Sequence, residues 1–303
     1  MSTVNGQKTL ERGLKALFIK EFANAEVASD ILPFVMETSS DGADEDYGWL
    51  GQSPSMNEWV DERRLKALNS FQYALKNKDY EATLSVDRNA LEDDRLGAVQ
   101  VRIADLAKKA KSSHPRKLFF EALVAGTAGL CYDGQPMFSV SHAEGGSGTQ
   151  SNLLSGSGVT AAQLSTDIET AIAALKNYKD DIGEPYNEGE IQIGIVCPPA
   201  LEAKFKAINT ADYITQGVSN TLKGTIKTIV SSGRLTDAND WYLADVTPGL
   251  KPFVRQIRQA PIFSALEGKS DNGFMRKKYL YGVDSREVFG YGLWQKMVKF
   301  TNA

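Results

Sequence analysis

A stretch of period-two alternation interrupted by a short polar segment constrains this chain more than any other feature. Phe71, Tyr73 and Leu75 alternate with polar or small residues, and Tyr80, Ala82, Leu84 and Val86 resume the pattern after Lys76-Asn-Lys-Asp79. That arrangement predicts a β-hairpin over about 71–86. A two-stranded hairpin is barely stable alone in water, so its apolar face must lie against a second layer. The layer is either another sheet of the same chain or a neighbouring subunit. Lys76 and Lys78, flanking Asn77, read most simply as charges that keep a tight turn soluble. A lysine reactive toward a neighbour's amide is the more active reading of the same tip.

The rest of the chain mixes helical and strand periodicities without a strand–helix repeat, which indicates α+β rather than a doubly wound sheet. An amphipathic helix is expected over 9–22, with Leu10, Leu14, Leu17, Phe18 and Phe22 on one stripe. An extended apolar stretch at 31–36 follows, and then 38–46, small and acidic, reads as a loop or mobile arm. A helix over 98–112, with Val99, Ile103, Leu106 and Ala110 inward, is expected to break at Ser112-Ser-His-Pro115 and to resume over 115–124. Residues 126–158 are rich in Gly, Ser and Thr and read as flexible connectors. Thr160-Ala-Ala-Gln163 has the spacing of a capping box and opens a helix that buries Leu164, Ile168, Ala171, Ile172 and Leu175. A buried strand at 191–196 precedes a short helix begun by Pro198-Pro199, carrying Leu201, Phe205 and Ile208. Shorter strands are expected at 225–230, 241–246 and 252–257. Residues 274–300 read as strands joined by Gly282 and by a bend at Gly290-Tyr-Gly292.

Chemistry-bearing patterns are scarce. The 303 residues hold 34 Lys plus Arg against 38 Asp plus Glu, a net charge of −4, which argues against a protein that coats nucleic acid with a basic face. No apolar run approaches the roughly 20 residues that span a bilayer, and Met1 to Gln7 lack the order of a signal peptide. Cys131 and Cys197 have no C-x-x-C spacing and read as buried thiols in a reducing cytoplasm. His114 and His142 have no paired-ligand spacing, so each is read as a structural or surface group. Cys131 and His142 form a nucleophile–base pair only on paper, since no orienting third group or oxyanion motif accompanies them. The glycine runs at 145–148 and 155–158 match neither a phosphate loop nor a dinucleotide fingerprint. Asp41, Asp44 and Asp46 resemble half a calcium loop without its central glycine and closing glutamate, so a solvated acidic turn is expected. No catalytic residue, cofactor or metal site is assigned. An acidic arm, a projecting hairpin and a broken long helix are features of a protein that touches copies of itself.

Several short runs share an order and spacing over about 48–295. They are Trp49-Leu-Gly-Gln52, Glu58-Trp59 with Arg63, Asn77-Lys-Asp-Tyr-Glu81, Glu92-Asp-Asp94, His114-Pro115, Cys131-Tyr-Asp-Gly-Gln-Pro136, Phe138 with His142, Tyr281-Gly-Val283 and Gly290-Tyr-Gly-Leu-Trp-Gln295. In this order the chain resembles the Mu-like phage major head subunit family.

The resemblance implies a tailed-phage or prophage major capsid protein with the Hong Kong 97-type fold. Residues 1–47 would be the N-terminal arm and 48–95 the extended loop, with its hairpin at about 71–86. A peripheral domain with a long spine helix would occupy 96–190, an axial domain 191–250, and strands returning to the peripheral domain 251–303. It further implies hexamers and pentamers of this chain closing an icosahedral shell around double-stranded DNA, bound without sequence specificity. A separate scaffolding protein, a portal and decoration proteins would be partners, with no membrane involved. The chain would reside in the virion capsid, and in the host cytoplasm during assembly. Intersubunit contacts are expected at Trp59, Arg63, Arg64, Tyr73, Lys76, Asn77, Lys78, Tyr80, Glu92, Asp93 and Asp94, where mixed charge would select register. On this reading, removing 74–81 would leave a folded subunit that no longer closes shells. Two other readings are an encapsulin-like compartment shell and an α+β enzyme with an unrecognised site.

Overall fold

The computed structural model of the chain describes residues 2–47, 73–87, 96–187, 189–215, 218–266 and 277–302. Trp59, Arg63, Arg64, Glu92, Asp93 and Asp94 lie outside these residues.

Helix α1 (Ser2–Asn24) is longer than its apolar stripe and buries Leu14 and Phe18, one turn apart, while Ile19 faces outward. A 3₁₀ turn at Leu32–Phe34 then leads into β1 (Val35–Ser39). The acidic segment expected to be a loop or mobile arm is instead an ordered turn followed by β2 (Asp44–Asp46). The Glu45 carboxylate closes it, accepting from the Asp41 and Gly42 N–H groups at 2.9 and 3.0 Å and from Ser40 Oγ at 2.9 Å. The Gly42 N–H, then Ser40 and the Asp41 N–H, hold this carboxyl below its ordinary range.

The expected hairpin does not form. β3 (Ala74–Lys76) pairs antiparallel with β2, whereas β4 (Lys78–Asp87) pairs antiparallel with a distant strand near the C-terminus. The cause is Asn77, which is only 6% exposed and is a hub rather than a turn residue. Its backbone N–H donates to the Ala43 carbonyl at 3.0 Å, and its Nδ2 donates to Ser40 Oγ and the Gly42 carbonyl. Its Oδ1 accepts from Gln256 Nε2 at 2.8 Å. The alternation on either side of Asn77 is real, but each half finds a different partner.

Helix α2 (Leu96–Lys108), a π turn (Lys109–Ser113) and α3 (His114–Ala125) make one continuous helical run. The expected break is thus a widened turn. Proline at the second position of α3 lacks an N–H and would crowd the preceding carbonyls of a regular helix, and the π turn gives its ring room.

Residues 126–158 are not flexible connectors. Short bridges join Leu130 to Pro136 and His142 to Gln150, Met137 and Phe138 are buried, and β5 (Leu153–Ser155) enters a sheet. Helix α4 (Ala161–Asn177) starts at the expected capping box, with the Thr160 side chain accepting from the Gln163 N–H and Gln163 reaching back to Thr160. β6 (Ile193–Cys197) and α5 (Pro199–Thr210) follow, then a small hairpin of β7 (Tyr213–Thr215) and β8 (Val218–Ser219). β9 (Ile226–Ser231), β10 (Trp241–Asp245), β11 (Phe253–Leu266), β12 (Lys278–Tyr291) and β13 (Met297–Thr301) complete the described chain. Gly282 lies inside β12 and joins nothing. Leu75 of β3 packs directly on Gly290, where a Cβ would force that side chain to move.

Two sheets organise these elements. The body sheet has strand order β5-β13-β10-β6-β9, and the second sheet has order β1-β11-β12-β4. A large core gathers around the body sheet, with α3, α4 and α5 contributing Phe119, Ile168 and Phe205. A smaller core joins α1 and α2 to the distal part of the second sheet.

Candidate assembly surface

The distal part of the second sheet is a three-stranded ribbon. β1 accompanies β11 only from Phe253 to Ile257. Beyond that point β11 shifts register twice, between Ile257 and Gln259 and between Gln259 and Ile262, and Pro261 falls in the second irregularity. Proline cannot supply a ladder donor, so its position at an irregular edge follows from its chemistry. From there β11, β12 and β4 continue without β1.

One face of the ribbon is covered. Phe263, Tyr279, Tyr281, Val283 and Val86 point toward α1 and α2, where Leu14, Phe18, Val99, Ile103 and Ala107 meet them. Phe18 stacks on Phe263 with ring centroids 4.8 Å apart. Nothing among the described residues covers the opposite face. Ile262 and Leu266 are 51% and 46% exposed, and they stand in register with Asp284 and Leu280 of β12. Glu81 and Thr83 of β4 continue this face, opposite Asp284 and Gly282. The outer face therefore carries an apolar line bordered by carboxylates, the composition of a surface that meets another polypeptide.

A charged joint fixes the root of the ribbon to the long helical run. The Glu287 side chain, 1% exposed, accepts from Arg255 Nε at 2.6 Å, and its other oxygen lies 3.3 Å from His114 Nε2. Arg255 also pairs with Glu37 of β1 at 2.7 Å. Tyr80 of β4 sets its ring edge-on to His114, 4.6 Å away. Burial alone would raise the Glu287 carboxyl, but His114 and Arg255 outweigh it and hold the group below its ordinary range. Beside this joint an open groove of about 620 Å³ runs between the ribbon and the π turn, lined by Tyr80, His114, Lys117, Arg234 and Pro261.

The five described residues among those expected at subunit contacts separate into two groups. Lys76, Lys78 and Tyr80 keep an outward or groove-facing side, with both lysines exposed and Tyr80 half-buried. Tyr73 is half-buried and Asn77 buried, and both hold the chain's own strands together. The Tyr73 hydroxyl accepts the Tyr291 N–H at 2.8 Å and its carbonyl accepts the Tyr47 N–H at 2.7 Å. Burial pushes its phenol well above the ordinary range. Removal of 74–81 would therefore delete β3 and the Asn77 hub instead of trimming a projecting tip. The sequence reading missed Ile262, Leu266, Arg255 and Glu287. The only available signal was the alternation of Phe263 with Ala265 and of Tyr279, Tyr281 and Val283, which lies outside the expected 252–257 strand or across Gly282.

Two of the runs that carried the sequence resemblance, 131–142 and 290–295, meet elsewhere, in a buried polar cluster of the body. His142 stacks on Trp294 at 4.1 Å, and its Nδ1 meets Asp133 at 2.6 Å and its Nε2 meets Asn152 at 3.2 Å. Glu144 accepts from Tyr132 at 2.5 Å, Trp294 Nε1 at 2.8 Å and Gln295 Nε2 at 3.3 Å. Burial raises the Glu144 carboxyl above its ordinary range despite these donors. Both ring nitrogens of His142 are engaged away from Cys131, whose thiol donates to the Gly292 carbonyl at 3.2 Å and is pushed up by burial. The two residues make no dyad. Among the described residues, no three His, Cys, Asp or Glu side chains gather as a metal site.

The Mu-like prophage major head subunit gpT family model matches residues 7–164 and 231–302. The chain is 29% identical over 288 residues to the Mu-like prophage FluMu major head subunit of Haemophilus influenzae, covering 93% of this chain and 71% of that protein. It is 24% identical over 253 residues to the major capsid protein of Escherichia phage Mu, covering 83% of this chain and 60% of that protein. Among solved structures, a chain of the procapsid of bacteriophage JBD30 aligns with a TM-score of 0.59 and 26% identity, over 97% of this chain and 76% of that one.

Proposed function

This chain belongs to the Mu-like prophage major head subunit family, and from that premise we propose that its ribbon and long helical run build a closed shell from many copies of itself. Its fold is that of Hong Kong 97-type phage capsid proteins, and it is a structural capsid protein, not an enzyme. Hexamers and pentamers of the chain form an icosahedral head around double-stranded DNA. The net charge of −4 suits a wall that does not adhere to packaged DNA. A separate scaffold, a portal and decoration proteins complete the particle, and assembly takes place in the host cytoplasm. Residues 1–47 serve as the arm, 48–95 as the extended loop, 96–190 as the peripheral domain, 191–250 as the axial domain and 251–303 as returning strands. Trp59, Arg63, Arg64, Lys76, Lys78, Tyr80, Glu92, Asp93 and Asp94 contribute to contacts between copies. Family membership favours this reading over an encapsulin-like compartment or an enzyme.

The observation that carries the proposal is the ribbon, covered on one face by its own chain and, among the described residues, uncovered on the other along Ile262 and Leu266. Identical contacts repeated on a closed lattice remove the need for any single tight interface. Sedimentation of the purified chain over a concentration series, with negative-stain imaging of fast fractions, tests it. Rings, sheets, tubes or shells are the expected outcome. A chain that stays monomeric or dimeric even with a candidate scaffold present would overturn it.

A further inference from the structure

The helical layer and the strand layer of the ribbon carry opposite charge. α1, α2, the π turn and α3 together hold ten Lys and Arg against four Asp and Glu, whereas the whole chain has 34 against 38. Four of these cations are engaged within the copy. Lys109 pairs with Asp105 at 2.8 Å, Lys117 with Glu121 and Arg116 with Asp30, and Lys111 donates to the Ala23 carbonyl at 2.9 Å. Lys15 and Lys20 of α1 and Arg102 and Lys108 of α2 are exposed and have no carboxylate partner among the described residues. Val101 and Ile19 stand beside them in sequence, 71% and 58% exposed. The solvent side of the helical layer is thus basic and partly apolar.

The outer strand face is its complement. Glu81 of β4 stands directly opposite Asp284 of β12, and like charges in that position repel. Glu81 accepts from the Thr83 hydroxyl at 2.6 Å and Asp284 from Gln259 Nε2 at 2.6 Å, and neither meets a cation among the described residues. Ile262 stands in register with Asp284 on the adjoining strand. One copy therefore keeps an unfavourable carboxylate pair on one side of the ribbon and unpaired cations on the other.

Resting on the reading that copies meet through the ribbon's outer face, we propose that the helical face of a second copy seats on it. Lys15, Lys20, Arg102 and Lys108 of one copy face Glu81 and Asp284 of the next, and Val101 and Ile19 cover Ile262 and Leu266. The two faces lie on opposite sides of the same ribbon, so a copy cannot satisfy one with the other. The contact is therefore head-to-tail, and it repeats from copy to copy until the rotation between them closes a ring. A nucleic-acid backbone would neutralise the cations but give Val101 and Ile19 nothing to pack against. An apolar line bordered by carboxylates satisfies both kinds of group.

A charge exchange on the full chain tests this, read as the lowest concentration that gives fast-sedimenting assemblies. Lys20→Glu with Arg102→Glu should raise that concentration about tenfold, and so should Glu81→Lys with Asp284→Lys. All four substitutions together should return it to within about threefold of the parent. The positions are exposed, so every variant should melt with the parent. If the parent assembles and the helical-face variant assembles equally well, the inference is overturned while the ribbon contact stands. Loss of assembly that the fourfold variant does not rescue would overturn it too, as would a short DNA duplex that binds the parent and not the helical-face variant. A parent that never assembles would overturn the ribbon reading and this inference with it.

Discussion

The two ends of β11 and β12 follow different rules, although they are the same strands. At the body end, Phe253 and Val254 of β11 and Val288 and Tyr291 of β12 are all buried, so both faces are covered by the chain's own layers. At the ribbon end, burial alternates: Phe263, Tyr281 and Val283 are covered, while Ile262 and Leu266 are exposed. Two-sided burial means that one copy of the chain satisfies the strand pair by itself. One-sided burial leaves a face that nothing among the described residues covers, and this is the face of the proposed contact between copies. The Glu287–Arg255–His114 joint lies where the regimes meet.

The largest expected effect breaks the body end. Trp294→Ala removes the stack on His142 and the donor to Glu144, and should cost about 3–5 kcal/mol as a buried aromatic truncation. Thermal unfolding should show global loss, with assembly failing only because subunits do not fold. Phe18→Ala sharpens the contrast from the smaller core. It should cost about 3 kcal/mol, concentrated in α1 and the ribbon, so hydrogen exchange should rise there while the body sheet keeps its protection. A uniform rise would mean that the two cores unfold as one.

Two buried carboxylates should respond to pH with opposite signs. Glu287 is held below its ordinary range, so its stabilisation is present above the unfolded glutamate value near pH 4.3 and is lost as pH falls through the folded value. Glu287→Gln should therefore cost about 2 kcal/mol at neutral pH, with the difference in Tm closing in acid. Glu144 is raised by burial, so its ionised form is a burden that grows as pH rises above the unfolded value. Glu144→Gln should equal the parent in acid and gain on it by up to about 1 kcal/mol toward alkaline pH. Parallel pH profiles for the two variants would contradict these assignments.

How much of this was legible in the sequence depended on whether a signal was local. The capping box at Thr160 and Gln163 and the buried positions of α4 and α5 follow from spacing alone, and the structure places them as expected except for Ile172, which is half-buried. Strand pairing did not follow. The alternation around Asn77 resembles a hairpin because the sequence shows period but not partner, and the partners lie near 44–46 and 278–287. The acidic turn looked mobile because the ordering contact is a single carboxylate, Glu45, bonding back to three donors. Glycine-rich 126–158 looked like a connector because its order comes from buried Asp133, His142, Glu144 and Asn152, polar residues whose partners are remote. The assembly surface was the least legible part: Ile262 and Leu266 stand out only once their strand is seen to have one covered face.

The smallest effect on folding should coincide with the largest effect on function. Ile262→Asp with Leu266→Asp changes only exposed positions, so the monomer's stability should move by no more than about 0.5 kcal/mol per site. Sedimentation velocity of this double variant beside the parent chain, at matched concentration and with matched thermal melts, is the most direct test of the ribbon's role. The parent should yield fast-sedimenting rings or shells, and the variant should remain a folded subunit with an unchanged melt. Shells of normal size and yield from the variant would contradict it.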